Sequence, residues 1–479
     1  MSRHTVMACA CAAIVLASPA HAATDADIAG LRAEIEALKS RYEARIGALE
    51  QRVQEAEANA RRAAPVAGAS GAPPATAESA AAPAAPQSAG GAAAPGGPAA
   101  AAASGIAAFN PAISVVLQGT YANLSQDPRT FGLAGFQAAD DTGPGRRGLR
   151  LSESEIGISA NVDDKFAGNL VVALAPDNTV SVEEAYGYMP SLPSGVVPKF
   201  GRFFSGIGYL NEQHQHAWDF VDAPLAYQAF LGGQLAQDGV QVKWVAPTDQ
   251  FIELGAEIGN GDSFPGQRDE HNGVGAYALY AHTGGDIGDS HSWRAGVSWL
   301  GTRADSRQAP QPDAAGNLVA TAFSGRSRTA IADFVWKWAP HGNATETSFK
   351  VQGEYFWRRE RGELTYDADG ALGLTQTGAY AANQRGAYAQ AIWQFMPYWR
   401  VGARYDRLDP GRPDYGANAD LLGLDFHPDR VTAMLDYTPS EFSRFRLQFA
   451  GSRTRPGFTD HELFLQYILT LGAHGAHRF

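Results

Sequence analysis

From residue 112 onward the chain alternates between apolar and polar positions. In its last segment Leu463, Leu465, Tyr467, Leu469 and Leu471 share one parity, and Glu462, Gln466 and Thr470 share the other. A period of two is the signature of a β-strand. The same alternation recurs upstream: Phe349, Val351, Tyr355 and Trp357 oppose Ser348, Lys350, Gln352 and Glu354, and Trp399, Val401 and Tyr405 oppose Arg400, Arg404 and Asp406. Phe445, Leu447 and Phe449 likewise oppose Arg444, Arg446 and Gln448. This period predicts sixteen strands, at 112–124, 149–161, 166–175, 180–189, 196–204, 234–246, 250–259, 274–284, 291–301, 328–338, 346–358, 384–395, 399–407, 430–438, 443–453 and 460–472. Short connections at 162–165, 247–249, 396–398 and 438–440 alternate with long, Gly-rich and charged ones at 125–148, 205–233, 302–327, 359–383 and 408–429; only 176–179 is short where a long one is due. The fold class expected is all-β, a sixteen-stranded antiparallel transmembrane β-barrel. In hydrocarbon every backbone N–H and C=O needs a partner, so the last strand must pair with the first. Trp336, Trp338, Trp393, Phe395, Trp399 and Tyr437 fall at strand ends beside short turns, where an interfacial aromatic girdle belongs.

The amino-terminal part has a different period. Arg3 and His4 precede an apolar run from Val6 to Leu16, and Ala20-His21-Ala22 supplies the small residues of a cleavage site, so residues 1–22 read as a secretory signal peptide. From Ile28, apolar residues at Leu31, Ile35, Leu38, Tyr42, Ile46, Leu49, Val53, Ala56 and Ala60 recur at spacings of three and four. That seam predicts an α-helical coiled coil over 23–63, placed in the periplasm, in front of the barrel. Residues 64–108 are almost entirely Ala, Pro, Gly and Ser with Glu78 as their charge; such a stretch buries no core and is expected to be a disordered linker. The barrel then occupies 109–479.

Composition narrows the chemistry. The two cysteines, Cys9 and Cys11, lie inside the leader, which excludes disulfides and thiolate catalysis from the mature chain. No segment after the leader offers 18 consecutive apolar residues, so only strands are left as spanning elements. The chain carries 50 Asp and Glu against 38 Lys and Arg, a net charge of -12, made one unit more negative when Arg3 leaves with the leader. Net charge speaks to the long-range field and not to pore selectivity. On the inward parity, Lys243, Arg294, Lys337, Lys350, Arg400, Arg404, Arg444 and Arg446 meet Glu253, Glu257, Asp333, Glu354, Asp406 and Asp436. With both signs present, no strong ion preference follows from the strands.

The connection from Ser205 to Gly233 stands apart. It holds Tyr209, Leu210, Trp218, Phe220, Val221, Leu225, Tyr227, Phe230 and Leu231, and an apolar-rich connection has to pack on something. Folding inward makes it the constriction and brings His214, His216, Trp218, Asp219 and Asp222 to the narrowest point; covering a subunit interface from outside is the alternative. His214-Gln-His216 with Asp219 and Asp222 is also a donor set for weak, reversible binding of zinc, copper or nickel. His271, His282, His291, His474 and His477 are further imidazoles along the chain.

The stretch Gly148-Leu-Arg-Leu-Ser-Glu-Ser-Glu-Ile-Gly157, followed by Glu184-Ala-Tyr-Gly-Tyr188 and by Lys199-Phe-Gly-Arg-Phe203 leading to Gly206-Ile-Gly208, resembles the opening strands of the phosphate-selective porin O and P family. The resemblance is clearest over 110–245. It implies a sixteen-stranded trimeric porin with an inward-folded third loop, often preceded by a periplasmic coiled coil. The third loop has no Arg or Lys between Phe203 and Gly233, so the fold is carried over and the phosphate substrate is not. A strand ending in Phe479 also resembles the terminal signal that barrel assembly machinery reads in Gram-negative outer-membrane proteins.

The function expected is therefore an outer-membrane porin passing small hydrophilic solutes or ions by diffusion. The alternatives are a channel for divalent metal (zinc) uptake through the loop histidines and a structural anchor joining the outer membrane to the periplasm. No Gly-x-Ser-x-Gly elbow and no Ser-His-Asp constellation on one strand face point to an enzyme, and no cofactor is expected. Expected partners are outer-membrane lipid, two further copies in a homotrimer, the assembly machinery, and a cell-wall or periplasmic partner of the coiled coil; no nucleic acid is expected.

Overall fold

The computed structural model describes residues 111–472 apart from 140–141, 191, 268–271, 314–317, 419 and 422–424. The signal peptide, coiled coil and linker, together with His271, His474, His477 and Phe479, lie outside the described residues. Among the described residues seventeen strands follow in chain order: β1 (Ala112–Leu124), β2 (Gly148–Leu151), β3 (Ser154–Asn161), β4 (Ala167–Leu174), β5 (Val180–Tyr188), β6 (Val196–Phe204), β7 (Ala236–Val245), β8 (Phe251–Gly259) and β9 (Ala276–Ile287) come first. Then come β10 (His291–Pro312), β11 (Leu318–Trp338), β12 (Ser348–Tyr366), β13 (Gln376–Met396), β14 (Trp399–Asp409), β15 (Asp429–Ser440), β16 (Ser443–Arg455) and β17 (Phe458–Gly472). One helix, α1 (Leu225–Leu231), lies between β6 and β7.

Each strand from β3 to β16 pairs antiparallel with its successor. β1 closes the ring against β17, from Ser114 opposite Gly472 to Leu124 opposite Glu462. On its other side β1 pairs with β2 through Gly119–Ala122 and with β3 through Ala112–Val116. β2 and β3 are thus two pieces of one stave, and the ring is a closed sixteen-stranded barrel. The expected single strand over 149–161 is broken at Ser152 and Glu153. Gln118 of β1 bridges the break: its carbonyl accepts from the Ser152 amide, its amide donates to Ser154 Oγ, and its side chain donates to the Glu153 carbonyl at 2.7 Å. The Ser152 amide and the Glu153 carbonyl released by the break are thus satisfied, which makes it tolerable.

A second difference concerns length. Most of 302–327 and 359–383, expected as long loops, is strand: β10 and β11 form a hairpin of 22 and 21 residues, and β12 runs 19 residues to Tyr366. Alternation there passes through Arg, Ser, Ala, Gly and Gln instead of large apolar residues, so the hydrophobic pattern ends before the ladder does. The extension is shaped by a bulge between Asp305 and Arg307, with Ser306 at φ 86°. It is filled on the inside by Phe323, Leu364, Tyr366, Tyr380 and Leu421.

The ring is inverted relative to a soluble core. Leu465, Phe334 and Leu279 are 54%, 47% and 55% exposed on the outside, while Arg446, Asp436 and Glu354 are 1%, 0% and 3% exposed on the inside. In β17 the parity read from the sequence holds throughout, with Glu462, Gln466 and Thr470 buried and Leu463, Leu465, Tyr467, Leu469 and Leu471 exposed. Aromatic pairs gather at the short-turn end: Trp399 and Tyr437 have ring centroids 4.7 Å apart, Trp393 and Phe395 5.9 Å, and Trp336 and Phe349 6.1 Å.

Candidate functional site

The connection from Ser205 to Leu235 is the feature around which the interior is arranged. Its neck is tied by Asn211, whose side chain donates to the carbonyls of Ser205 and Leu235 at 2.8 and 2.9 Å and accepts from the Leu235 amide at 2.8 Å. Next to the neck, Glu257 of β8 accepts from Ser205 Oγ at 2.5 Å and from the Gly206 amide at 2.8 Å. Glu354 of β12 accepts from the amides of Tyr209 and Leu210, both at 3.2 Å, and from the hydroxyls of Tyr227 and Tyr388 at 2.9 and 2.7 Å. One carboxylate therefore holds two parts of the connection and the wall behind them.

His214 and His216 reach the wall formed by β3 and β5. His214 Nδ1 lies 3.2 Å from both Glu155 and Glu183, its Nε2 lies 3.2 Å from Glu184, and His216 Nδ1 lies 2.9 Å from Glu155. The two rings stack with centroids 5.7 Å apart. Burial opposes a charge on His214, but the three carboxylates outweigh it and raise this imidazole well above its usual value.

Asp219 and Asp222 reach a different wall. Asp219 pairs with Lys350 of β12, with Arg400 of β14 at 3.4 Å, and accepts from Gln390 of β13 at 2.9 Å. Asp222 pairs with Arg430 of β15 and with Arg404 of β14 at 3.1 Å, and accepts from Gln448 of β16 at 2.9 Å. Burial alone would raise both carboxyls. The lysine and arginines overcome it and hold Asp219 and Asp222 below the usual carboxylate range. Trp218, between the two anchor sets, is 4% exposed, and its indole donates to the Gln213 carbonyl at 2.8 Å. Arg446 and Arg444 of β16 donate to the Trp218 carbonyl at 3.0 and 3.3 Å.

α1 follows. All seven of its residues are buried, and it stops at Gly232, which takes the left-handed φ of 68° that suits glycine. Tyr227 and Phe230 pack on Phe356 of β12 at centroid distances of 5.2 and 5.5 Å. Gly386 of β13 leaves the room: a Cβ there would come within 2.6 Å of the Phe230 ring. Phe136, from the β1–β2 connection, packs on Phe230 from another side at 5.6 Å. Arg358 donates to the Ala229 carbonyl at 3.0 Å, near the helix C-terminus, where a cation suits the dipole.

The remaining inward candidates are distributed along the same interior. Lys243 pairs with Glu212, Glu253 lies 3.0 Å from His282, Arg294 stands over Tyr209 with its guanidinium 5.2 Å from the ring centroid, and Arg446 pairs with Asp436 at 2.8 Å. Lys337 is on the inner parity of β11, half-buried. Carboxylates gather on β3–β8 as Glu155, Glu183, Glu184, Glu253 and Glu257, with Lys199 and Lys243 among them, and cations on β12–β16 as Lys350, Arg400, Arg404, Arg430, Arg444 and Arg446, with Glu354, Asp406 and Asp436 among them. Residues missing from the sequence candidates are Glu155, Glu183, Glu184, Asn211, Gln390, Arg430 and Gln448. Arg430 shares the parity of Asp436 and was findable. The glutamates sit in stretches whose resemblance speaks to fold, and nothing local marks them as partners of residues 30 to 60 positions away.

Fold and side-chain placement together define a closed antiparallel β-barrel with buried ionisable side chains on one face and exposed apolar ones on the other. No family model matches the chain. A protein of Aquifex aeolicus (strain VF5), described as uncharacterized, is 31% identical over 354 residues, covering 70% of this chain and 71% of the relative, and the chain belongs to its family. Among solved structures the chain is similar to OmpT, an outer membrane protein of Vibrio cholerae, in its trimer form (13% identity, TM-score 0.47, 76% of this chain and 100% of that one). It is also similar to the outer membrane channel DcaP of Acinetobacter baumannii (11%, 0.46, 77% and 99%) and to Salmonella typhi OmpF (10%, 0.45, 76% and 98%). Likeness of this degree adds nothing to what the strand pairing itself establishes.

Proposed function

We propose that the chain is an outer-membrane porin, a passive channel for small hydrophilic solutes or ions, narrowed by the connection between β6 and β7 and assembled as a homotrimer. One observation carries the reading: around the ring, ionisable side chains are buried inside and large apolar ones exposed outside. Such an exterior is at rest in hydrocarbon, where a closed ladder is the one sheet that leaves no backbone group unpaired. The anchors of Asp219 and Asp222 on one wall and of His214 and His216 on another favour a connection that crosses the interior and sets its width. Because cations and carboxylates are largely paired with each other, a weak ion preference is expected. Refolded mature protein in a planar bilayer under a KCl gradient should give discrete conductance steps and a small zero-current potential. A protein that inserts and conducts nothing would sink the channel.

A second reading has its own support. One ligating atom each from Glu155, Glu183 and His214 lie within 4.8 Å of one another, with His216 joined through Glu155. Imidazole with carboxylates suits a borderline divalent ion such as zinc. Micromolar zinc should then block the current, and His214→Ala with His216→Ala should abolish the block while leaving open conductance within a factor of about two. Block that survives both substitutions would remove these histidines from any metal site.

A further inference from the structure

The outward face carries a charge feature that neither the channel nor its constriction uses. At the long-loop end of the β10–β11–β12 sector, Arg303 stands directly opposite Arg326, and Arg326 directly opposite Arg361. Two residues further down, Arg328 stands opposite Arg359. All five are on the outward parity, four of them exposed and Arg359 half-buried. Directly opposed side chains on neighbouring strands have Cβ atoms only about 5 Å apart, and like charges so placed repel. Among the described residues none of the five has an ion-pair or side-chain hydrogen-bond partner, although Asp305 and Glu363 share their outward parity. Elsewhere on the outer face arginines are spread singly, with Arg385 and Arg407 exposed and two others neutralised within their own sheet. Arg202 is paired with Asp238 at 2.6 Å, and Arg453 with Asp429. The β10–β12 sector thus concentrates five guanidinium groups and leaves them unneutralised.

Their height says what neutralises them. Immediately below the patch lie Trp299, packed on Tyr277 at 5.0 Å, and Trp357, which faces Ala330 across the ladder. From Ala330 down β11 to Trp338 the outward positions are Ala330, Ala332, Phe334, Trp336 and Trp338, within a run of nine residues, about 26 Å along the strand and about what a tilted strand needs to cross hydrocarbon. That spans the apolar band of a membrane barrel, bounded by aromatic residues at both ends. The arginines come next, where headgroups begin. Guanidinium forks match phosphate oxygens, and juxtamembrane cations are attracted to anionic leaflets.

We propose that Arg303, Arg326, Arg328, Arg359 and Arg361 form a docking surface for the phosphate groups of lipid headgroups in the leaflet at the long-loop end of the barrel. The inference rests on the membrane reading above. A second copy of the chain is the competing occupant; Asp238 and Asp429 of the outer face are already taken by arginines of their own sheet, and the oligomeric state is read in the test below.

The test uses the full chain, reconstituted in phosphatidylcholine nanodiscs doped with either bisphosphorylated lipid A or lipid A stripped of both phosphates. Lipid A retained on the protein after delipidation is counted by mass spectrometry. The wild type is compared with R326Q/R359Q/R361Q and with R412Q, an exposed arginine in the β14–β15 connection, and the heat-modifiable band certifies folding in each. The triple variant should retain the phosphorylated lipid at least about tenfold less well than wild type and R412Q. The stripped lipid should be held equally poorly by all three, and millimolar inorganic phosphate should not displace the phosphorylated one. Equal retention in variant and wild type, or retention indifferent to the lipid phosphates, would overturn the inference. Displacement by inorganic phosphate would replace the lipid by a free anion, and a variant that loses its oligomeric state in lipid-free detergent with retention unchanged would replace it by a subunit contact. Wild-type protein that never enters nanodiscs would overturn the membrane reading and this inference together, whereas normal entry with equal retention defeats the inference alone.

Discussion

Asp222 shows what one side chain contributes in such an interior. It is the shared carboxylate of Arg404 and Arg430, both buried, and it also accepts from Gln448. Asp222→Asn leaves Asp406 as the shared counter-charge of both guanidinium groups, one negative charge short, and breaking a buried pair costs at most about 3–5 kcal/mol. The loss falls on the connection and not on the ladder, so the variant is expected to keep a normal heat-modifiable band while its single-channel current fluctuates more. A current as quiet as wild type would show that Asp222 holds nothing. Acid should act on the same anchor. Both Asp219 and Asp222 titrate below their ordinary range in the folded protein, so their contribution is complete above the unfolded carboxyl value of about 3.9 and drains away as pH falls through the depressed folded values. Current noise should rise as pH falls below about 4; noise that does not rise between about pH 4 and pH 2 would refute the anchor. Parity in the sequence was enough to put Asp406, Arg404 and Arg446 inside, because side-chain alternation is local. It was silent on pairing. Arg430 and Gln448 meet a loop more than 200 residues earlier in the chain, and only closure of the ring brings them there.

At the scale of the element, the β6–β7 connection holds a helix too short to be stable alone. Seven residues do not repay helix nucleation, so α1 exists because Phe356, Phe136 and the flat spot at Gly386 give it a bed. Gly386→Leu places atoms where the Phe230 ring and the Leu408 side chain already are, at 2.6 and 2.8 Å from an ideal Cβ. Overpacking of this kind costs about 1–3 kcal/mol, and the connection is the part free to yield. Open conductance should therefore change while the folded fraction stays near wild type. Unchanged conductance would mean that α1 does not bound the pore. The richness of 205–233 in aromatic and aliphatic residues was enough to say that it must pack on something. The extended hairpins of β10–β13 were not legible from apolar alternation, since their upper halves are built from small and polar residues and owe their ladder to the neighbouring strand. The break between β2 and β3 was equally hidden, because what makes it tolerable is Gln118, more than 30 residues away.

For the whole molecule the decisive property is which side of the ring meets which solvent, and β17 tests it. Its period of two, closed by pairing with β1, is what made a sixteen-stranded ring readable from sequence: alternation fixes the faces, alternating turn lengths fix the direction, and the absence of free edges in hydrocarbon fixes the seam. Leu465 lies mid-strand in β17, between Tyr121 of β1 and Leu447 of β16, and is 54% exposed. If the exterior met water, Leu465→Lys would be a surface change worth about ±0.5 kcal/mol at most. In a bilayer a lysine at mid-depth costs about 2–4 kcal/mol, falling to about 0–1 near the interface. The same substitution at Leu471, which is 55% exposed on the same face of β17 and adjoins its last residue, supplies the shallow comparison. Refolded into vesicles, Leu465→Lys should show a clearly reduced heat-modifiable fraction and Leu471→Lys a nearly normal one. Equal tolerance at both depths would mean that the apolar belt does not face lipid, and the channel and the arginine surface would fall with it.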